Sequence, residues 1–196
     1  MIRSYEEYQF YLKQDRIALG IRQEGWTGKL KQWLLPDPIW KFERLMRRCE
    51  YLTNCGGKRN PMLLWYRVRY RKLSLKLGFS IPINTFGPGL SIVHYGTIVV
   101  NSAARIGKNC RLHACVNIGA SRGSKMAAQI GDNVYIGPSV VIFGDIRIAD
   151  NVTIGANATV NRDCREENAV LAGTPAVVVK SDFPVWWRLN GLDLEE

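Results

Sequence analysis

Histidine is scarce in this chain: His94 and His113 are the only two among 196 residues. A three-histidine zinc centre cannot be built from them, which excludes hydration chemistry of that kind. The five cysteines, Cys49, Cys55, Cys110, Cys115 and Cys164, form no Cys-x-x-Cys pair. Their odd number leaves one over in any disulfide scheme, and no metal site is expected. The longest stretch free of Asp, Glu, Lys and Arg, 77–104, contains Pro82, Pro88 and four glycines, so it makes a poor membrane-spanning helix. The first ten residues are polar and charged, unlike a secretory signal. These absences point to a reducing cytoplasm.

Acidic residues are few in one part of the chain only. Residues 1–79 hold 17 Lys and Arg against 7 Asp and Glu, whereas 80–196 hold 10 of each. The excess charge therefore belongs to a basic N-terminal segment, which raises nucleic acid and membrane surfaces as partners. With 46% hydrophobic and 22% charged residues, the whole has the composition of a folded protein.

What the chain does have is a repeat. Aliphatic residues recur every six positions at Val100, Ile106, Leu112 and Ile118, then in the same phase at Ile130, Ile136, Ile142, Ile148, Ile154 and Val160. A small or aliphatic residue follows four positions after most of them, as at Ala104, Cys110, Val116, Val134, Val140, Ala158 and Cys164. Neither a helix nor a hairpin strand has period six, since their side-chain periods are 3.6 and 2. A triangular parallel β-helix has it, with one hexapeptide per side and residues eighteen apart in register. Cys110 and Cys164 fall in the small inward slot, where a thiol acts as a compact hydrophobe. The repeat is interrupted over 120–128, which reads as a loop thrown out from the prism, a place where function tends to sit.

Residues 1–77 read as helical. Apolar spacings of three and four run from Tyr5 to Ile21 and from Pro38 to Leu52, with Pro36 and Pro38 between them and breaks at Gly56-Gly57 and Asn60-Pro61. A third helix, Met62 to Leu77, carries Arg67, Arg69, Arg71, Lys72 and Lys76 beside Trp65, Tyr66 and Tyr70. Its aromatic stripe is expected to pack against the prism and leave the cations in water. That argues against a nucleic-acid partner; peripheral contact with a membrane face through the basic helices is the other use such a surface could have. Segments 1–77, 78–180 and 181–196 are the expected divisions, with Trp186 and Trp187 of the tail covering apolar surface.

From Gly87 to Lys180 the chain resembles the hexapeptide-repeat (left-handed β-helix) acyltransferases. Within them it is most similar to the serine acetyltransferase branch and its relatives that O-acetylate sugars. The resemblance rests on Phe86-Gly-Pro-Gly-Leu90, His94-Tyr-Gly-Thr-Ile-Val-Val100, Ile154-Gly-Ala-Asn-Ala158 and Ala172-Gly-Thr-Pro-Ala176. It implies a mainly β fold, a left-handed parallel β-helix with an α-helical N-terminal segment. It also implies acetyl transfer from acetyl-CoA, and a homotrimer with sites between subunits. His94 matches the general base, a role that its ordinary pKa near 6.5 suits. By hexapeptide counting His94 is in phase with the inward positions. Ala120, Pro138, Ala156, Asn157, Gly173 and Thr174 match the acetyl-CoA groove, with Lys180 and Arg162 as candidates for its phosphates. Tyr95, Asn117 and Arg122 are the candidates for the acceptor; His113, about one coil from His94, is expected to be structural.

The chain departs from the serine-specific pattern. Val93 replaces an acidic residue before the histidine, and Met126, Ala127 and Ala128 replace a charged closure of the loop. A free amino acid would find no compensating charge there, so a saccharide hydroxyl, from a surface polysaccharide or its precursor, is the expected acceptor, with L-serine as the alternative.

Overall fold

A computed structural model describes residues 1–21, 37–56 and 60–194. Pro36 and Gly57, read above as breaks, lie outside the described residues. Helix α1 spans Tyr5–Ala18, α2 Pro38–Asn54 and α3 Pro61–Leu77. Each begins on a side-chain cap: Ser4 accepts from Glu7 N–H, Asp37 from Ile39 and Trp40 N–H, and Asn60 from Met62 N–H. Pro38 and Pro61 follow their caps at the first helical position, where no N–H is needed. Gly78 ends α3 with φ of 80°, a left-handed cap that only glycine takes without strain.

Fourteen short strands follow, and they form three faces of a prism. The five-stranded face stacks β1 (Phe79–Ser80), β3 (Ile98–Val100), β6 (Asn117–Gly119), β9 (Val141–Phe143) and β12 (Thr159–Val160). The three-stranded face stacks β4 (Arg105–Ile106), β7 (Gln129–Ile130) and β10 (Arg147–Ile148). The six-stranded face stacks β2 (Ser91–Ile92), β5 (Arg111–Leu112), β8 (Tyr135–Ile136), β11 (Thr153–Ile154), β13 (Val170–Gly173) and β14 (Ala176–Lys180). All pairings are parallel except the closing β13–β14 hairpin. This is the triangular β-helix that period six requires.

The expected inward residues fill its core. Val100, Ile118, Ile142 and Val160 stack on one face, Ile106, Ile130 and Ile148 on the next, and Leu112, Ile136, Ile154 and Leu171 on the third, all buried. Cys110 and Cys164 are buried in the small slot, and burial pushes both thiols up. At one corner the backbone itself closes the packing: a Cβ on Gly131 would lie 2.1 Å from Asp150 Oδ1 and 2.9 Å from Ala149 carbon. Asp150 Oδ1 instead accepts the Asp132 N–H at 2.7 Å, and Asn109, Asn133 and Asn151 form a side-chain ladder at the same corner.

Two expectations change. The loop is shorter than 120–128, because Ala127 and Ala128 are fully buried and Ala128 occupies the small slot. The aromatic stripe of α3 does not pack on the prism as a whole. Tyr70 turns inward, stacked on Phe42 and donating its hydroxyl to Ile81 O, but Trp65 is 52% exposed with Arg69 above its ring. The tail forms α4 (Trp186–Leu189), whose two tryptophans are buried beside Ala18 of α1.

Candidate active site

The first coil is two residues out of phase with the rest. Phe86 bridges to Ile106 and Ile92 pairs with Leu112, each twenty positions on, while Val100 pairs with Ile118 eighteen positions on. Ile98 and Val100 both point inward to absorb the slip. His94 therefore does not occupy an inward slot, as counting back from Val100 suggests. It leaves the prism two residues after buried Ile92, at the corner between the six- and five-stranded faces, with its side chain exposed.

That corner continues as an edge of small residues. Gly96 lies over Ala114, the Ser139 N–H donates to Ala114 O at 3.0 Å, and the Asn157 N–H donates to Pro138 O at 3.0 Å. Thr174 Oγ1 bonds Asn157 O at 3.3 Å and Thr159 Oγ1 at 3.2 Å. Cys115, Ser139 and Asn157 turn the corner with φ of 63°, 60° and 60°. Pro138, Ala156, Asn157, Gly173 and Thr174 are thus brought onto one exposed edge headed by His94 and Tyr95. Lys180 is at the other end of the β13–β14 hairpin, paired with Val170 and over the Phe183 ring. Arg162 is exposed beyond β12. Ala120 and exposed Arg122 belong to the loop between β6 and β7, at the opposite corner of the five-stranded face, and Asn117 lies on that face between Val99 and Val141.

Beside His94, half-buried His113 is seated with ring centroids 6.2 Å from His94 and 5.0 Å from Tyr135. Its Nε2 is buried without a partner. Burial, then the Arg111 guanidinium, then His94 lower its pKa, so this imidazole stays neutral where an ordinary histidine begins to charge. Among the described residues no carboxylate pairs with His94.

The backbone leading to His94 is held by buried carboxylates that sequence reading missed. Asp15 Oδ1 accepts the N–H groups of Gly89 and Leu90 at 2.8 and 2.9 Å, and Glu43 Oε1 accepts that of Ile92 at 3.3 Å. Glu43 is fully buried with Oε2 unpartnered. Burial and the nearby Asp15 charge, opposed by Arg47, push its carboxyl well above the usual range. Nothing in the local sequence marks these residues, because their partners lie dozens of positions away.

The family described as "Bacterial transferase hexapeptide (six repeats)" matches residues 127–162. No curated protein matches the chain. Solved structures do. A serine acetyltransferase from Brucella abortus strain S19 is 20% identical, with 92% of this chain and 71% of that one covered and a TM-score of 0.71. The Neisseria gonorrhoeae serine acetyltransferase in complex with serine is 25% identical, covering 90% and 71% at a TM-score of 0.69. A serine acetyltransferase in complex with CoA is 23% identical, covering 89% and 71% at 0.69.

Residues 127–162 carry the repeat of the bacterial hexapeptide transferases, and the chain shares its fold with solved serine acetyltransferases, which implies the left-handed coil. Among solved structures, the likeness is to serine acetyltransferases.

Proposed function

We propose that this chain is an acetyl-CoA-dependent O-acetyltransferase with His94 as its general base. The observation that carries the proposal is the exposed imidazole at the head of an exposed edge of small residues. An extended thioester substrate could lie along Pro138, Ala156, Asn157, Gly173 and Thr174, whose short side chains admit close backbone approach. Neutral His94 takes the proton of the acceptor hydroxyl as its oxygen attacks the thioester carbonyl. Collapse of the tetrahedral adduct breaks the C–S bond, and the departing thiolate receives the proton from His94. The CoA complex of a structurally similar enzyme supports the choice of donor.

One prism does not complete this site. His94 and the 121–126 loop lie at opposite corners of the five-stranded face, so a site using both must draw them from two chains. This supports the homotrimer with sites between subunits.

L-serine is the first acceptor to consider, because the similar solved structures are serine acetyltransferases, one of them with serine bound. The saccharide expected from sequence loses part of its support, since buried Ala127 and Ala128 cannot touch an acceptor. It stays as a second reading on one observation: Tyr95, 71% exposed next to His94 and uncharged Val93, offers a flat aromatic surface suited to a sugar ring.

The test is thiol release from acetyl-CoA with L-serine, nucleotide sugars and oligosaccharides. His94→Ala should lower turnover by about two orders of magnitude or more while CoA still binds. Near-normal turnover in that variant removes His94 from the mechanism. Release with L-serine alone settles the acceptor for serine; release with a sugar alone settles it for the saccharide.

A further inference from the structure

Helix α3 presents an exposed crest that the active site does not use. Leu64 and Leu75 are each 68% exposed and Val68 46%, and these positions fall on one side of the helix. Trp65, 52% exposed, stands at the edge of this crest with the Arg69 guanidinium 4.4 Å above its ring. Arg67 and Arg71 flank the crest on one side, Lys72 and Lys76 on the other, all exposed. Residues 61–77 contain no Asp or Glu. Among the described residues, no carboxylate lies within ion-pair distance of these five cations. The opposite side of the helix is already used, by Tyr70 against Phe42 and by buried Ser74 and Leu77.

Leu64 and Leu75, two-thirds exposed, and Val68, nearly half exposed, form a strip whose covering must also accept a row of positive charge that no described carboxylate pairs. Nucleic acid supplies the charge but meets such cations with phosphates and offers no covering for Leu64, Val68 and Leu75. A bilayer containing acidic phospholipids supplies both, anionic headgroups at the level of the arginines and lysines and acyl chains beneath them. Tryptophan at the rim suits the same boundary. No described helix is long and apolar enough to cross a membrane, so the contact would be peripheral. We infer that α3 lays its Leu64–Val68–Leu75 crest on an anionic lipid surface, held by Arg67, Arg71, Lys72 and Lys76. This docking is independent of which acceptor the enzyme uses.

The experiment is co-sedimentation of the full chain with extruded vesicles at about 0.1 M salt, where headgroup attraction still reaches a Debye length of about 10 Å. Vesicles of phosphatidylcholine alone are compared with vesicles in which roughly a third is phosphatidylglycerol. Binding is expected to the anionic vesicles only and to weaken as salt rises. Arg71→Gln with Lys72→Gln should lower the partition coefficient about 30-fold, from about fivefold per cation near the surface. Leu64→Ser with Leu75→Ser, which keeps every charge, should also abolish sedimentation at the same lipid concentration. All four positions are exposed, so both variants should keep the wild-type melting temperature and oligomeric mass. Equal binding to the two vesicle types, no binding to either, or wild-type binding by either variant overturns the inference. So does a fall in particle mass of the serine variant in light scattering, which would make the crest a contact between copies. Preferential retention on a single-stranded oligonucleotide would overturn it in favour of nucleic acid.

Discussion

Arg47 and Asp15 form a two-pronged ion pair with both side chains fully buried, Nε to Oδ2 at 2.7 Å and Nη2 to Oδ1 at 3.1 Å. Arg47 also donates to Glu50 at 3.0 Å and to the carbonyls of Phe86 and Gly87 at 3.0 and 2.6 Å. The pair joins α1, α2 and the first coil, and through Gly89 and Leu90 it supports the strand that leads to His94. Removing one partner of a buried pair strands the other, at a cost of about 3–5 kcal/mol. Arg47→Met should therefore lower the unfolding free energy by about that amount in urea titration. Arg47→Lys should fail to restore it, because a point charge cannot serve four acceptors arranged around a planar fork. A loss below about 1 kcal/mol would show that the network is not a brace.

Glu43 gives a pH dependence of the opposite sense to most carboxylates. Its folded-state pKa is raised by burial and by Asp15 above the ordinary 4.5, so the folded chain holds a proton that the unfolded chain releases. Its contribution is most favourable below pH 4.5 and is lost as pH rises toward the folded value. Glu43→Gln keeps an acceptor for Ile92 N–H and removes the titration. The variant should melt higher than wild type at neutral pH, with the difference vanishing near pH 4. A constant difference across that range would contradict the reading.

His113 should titrate below 6.5, as burial, Arg111 and His94 all disfavour its charged form. The imidazole resonances in NMR give the midpoint directly. Replacing His94 with Asn removes one of those causes, and the His113 midpoint should move upward. The linkage runs so that the folded state gains nothing from His113 above pH 6.5 and loses stability as pH falls below it.

Gly131 should not accept a side chain. A methyl group there would meet Asp150 Oδ1 and the Ala149 backbone far inside contact distance. Gly131→Ala should lower stability by about 1–3 kcal/mol or more, as overpacking does, and release the Asp150 bond to Asp132 N–H. Gly123→Ala, in the open loop with nothing within 4 Å but with φ of 74°, should cost less, about 1–2 kcal/mol.

Period six could be read directly because every hexapeptide repeats one local choice: an aliphatic residue inside, a small one four positions on, and a corner that tolerates Gly or Asn. Val100, Ile130 and Ile154 declare their places without reference to any distant residue, and the helix starts at Ser4, Asp37 and Asn60 are equally local. Where the pattern slipped, counting failed. The two-residue offset of the first coil turned His94 outward, and only the pairing of Ile92 with Leu112 reveals it. The same holds for Ala127 and Ala128, whose burial depends on where the loop rejoins the prism. Asp15, Glu43 and Arg47 carry no signal of their own, since apart from the Arg47–Glu50 pair their partners lie 32 to 75 positions away. Local repetition determined the prism; contacts between distant segments decided which side chains face the edge headed by His94 and what holds them there.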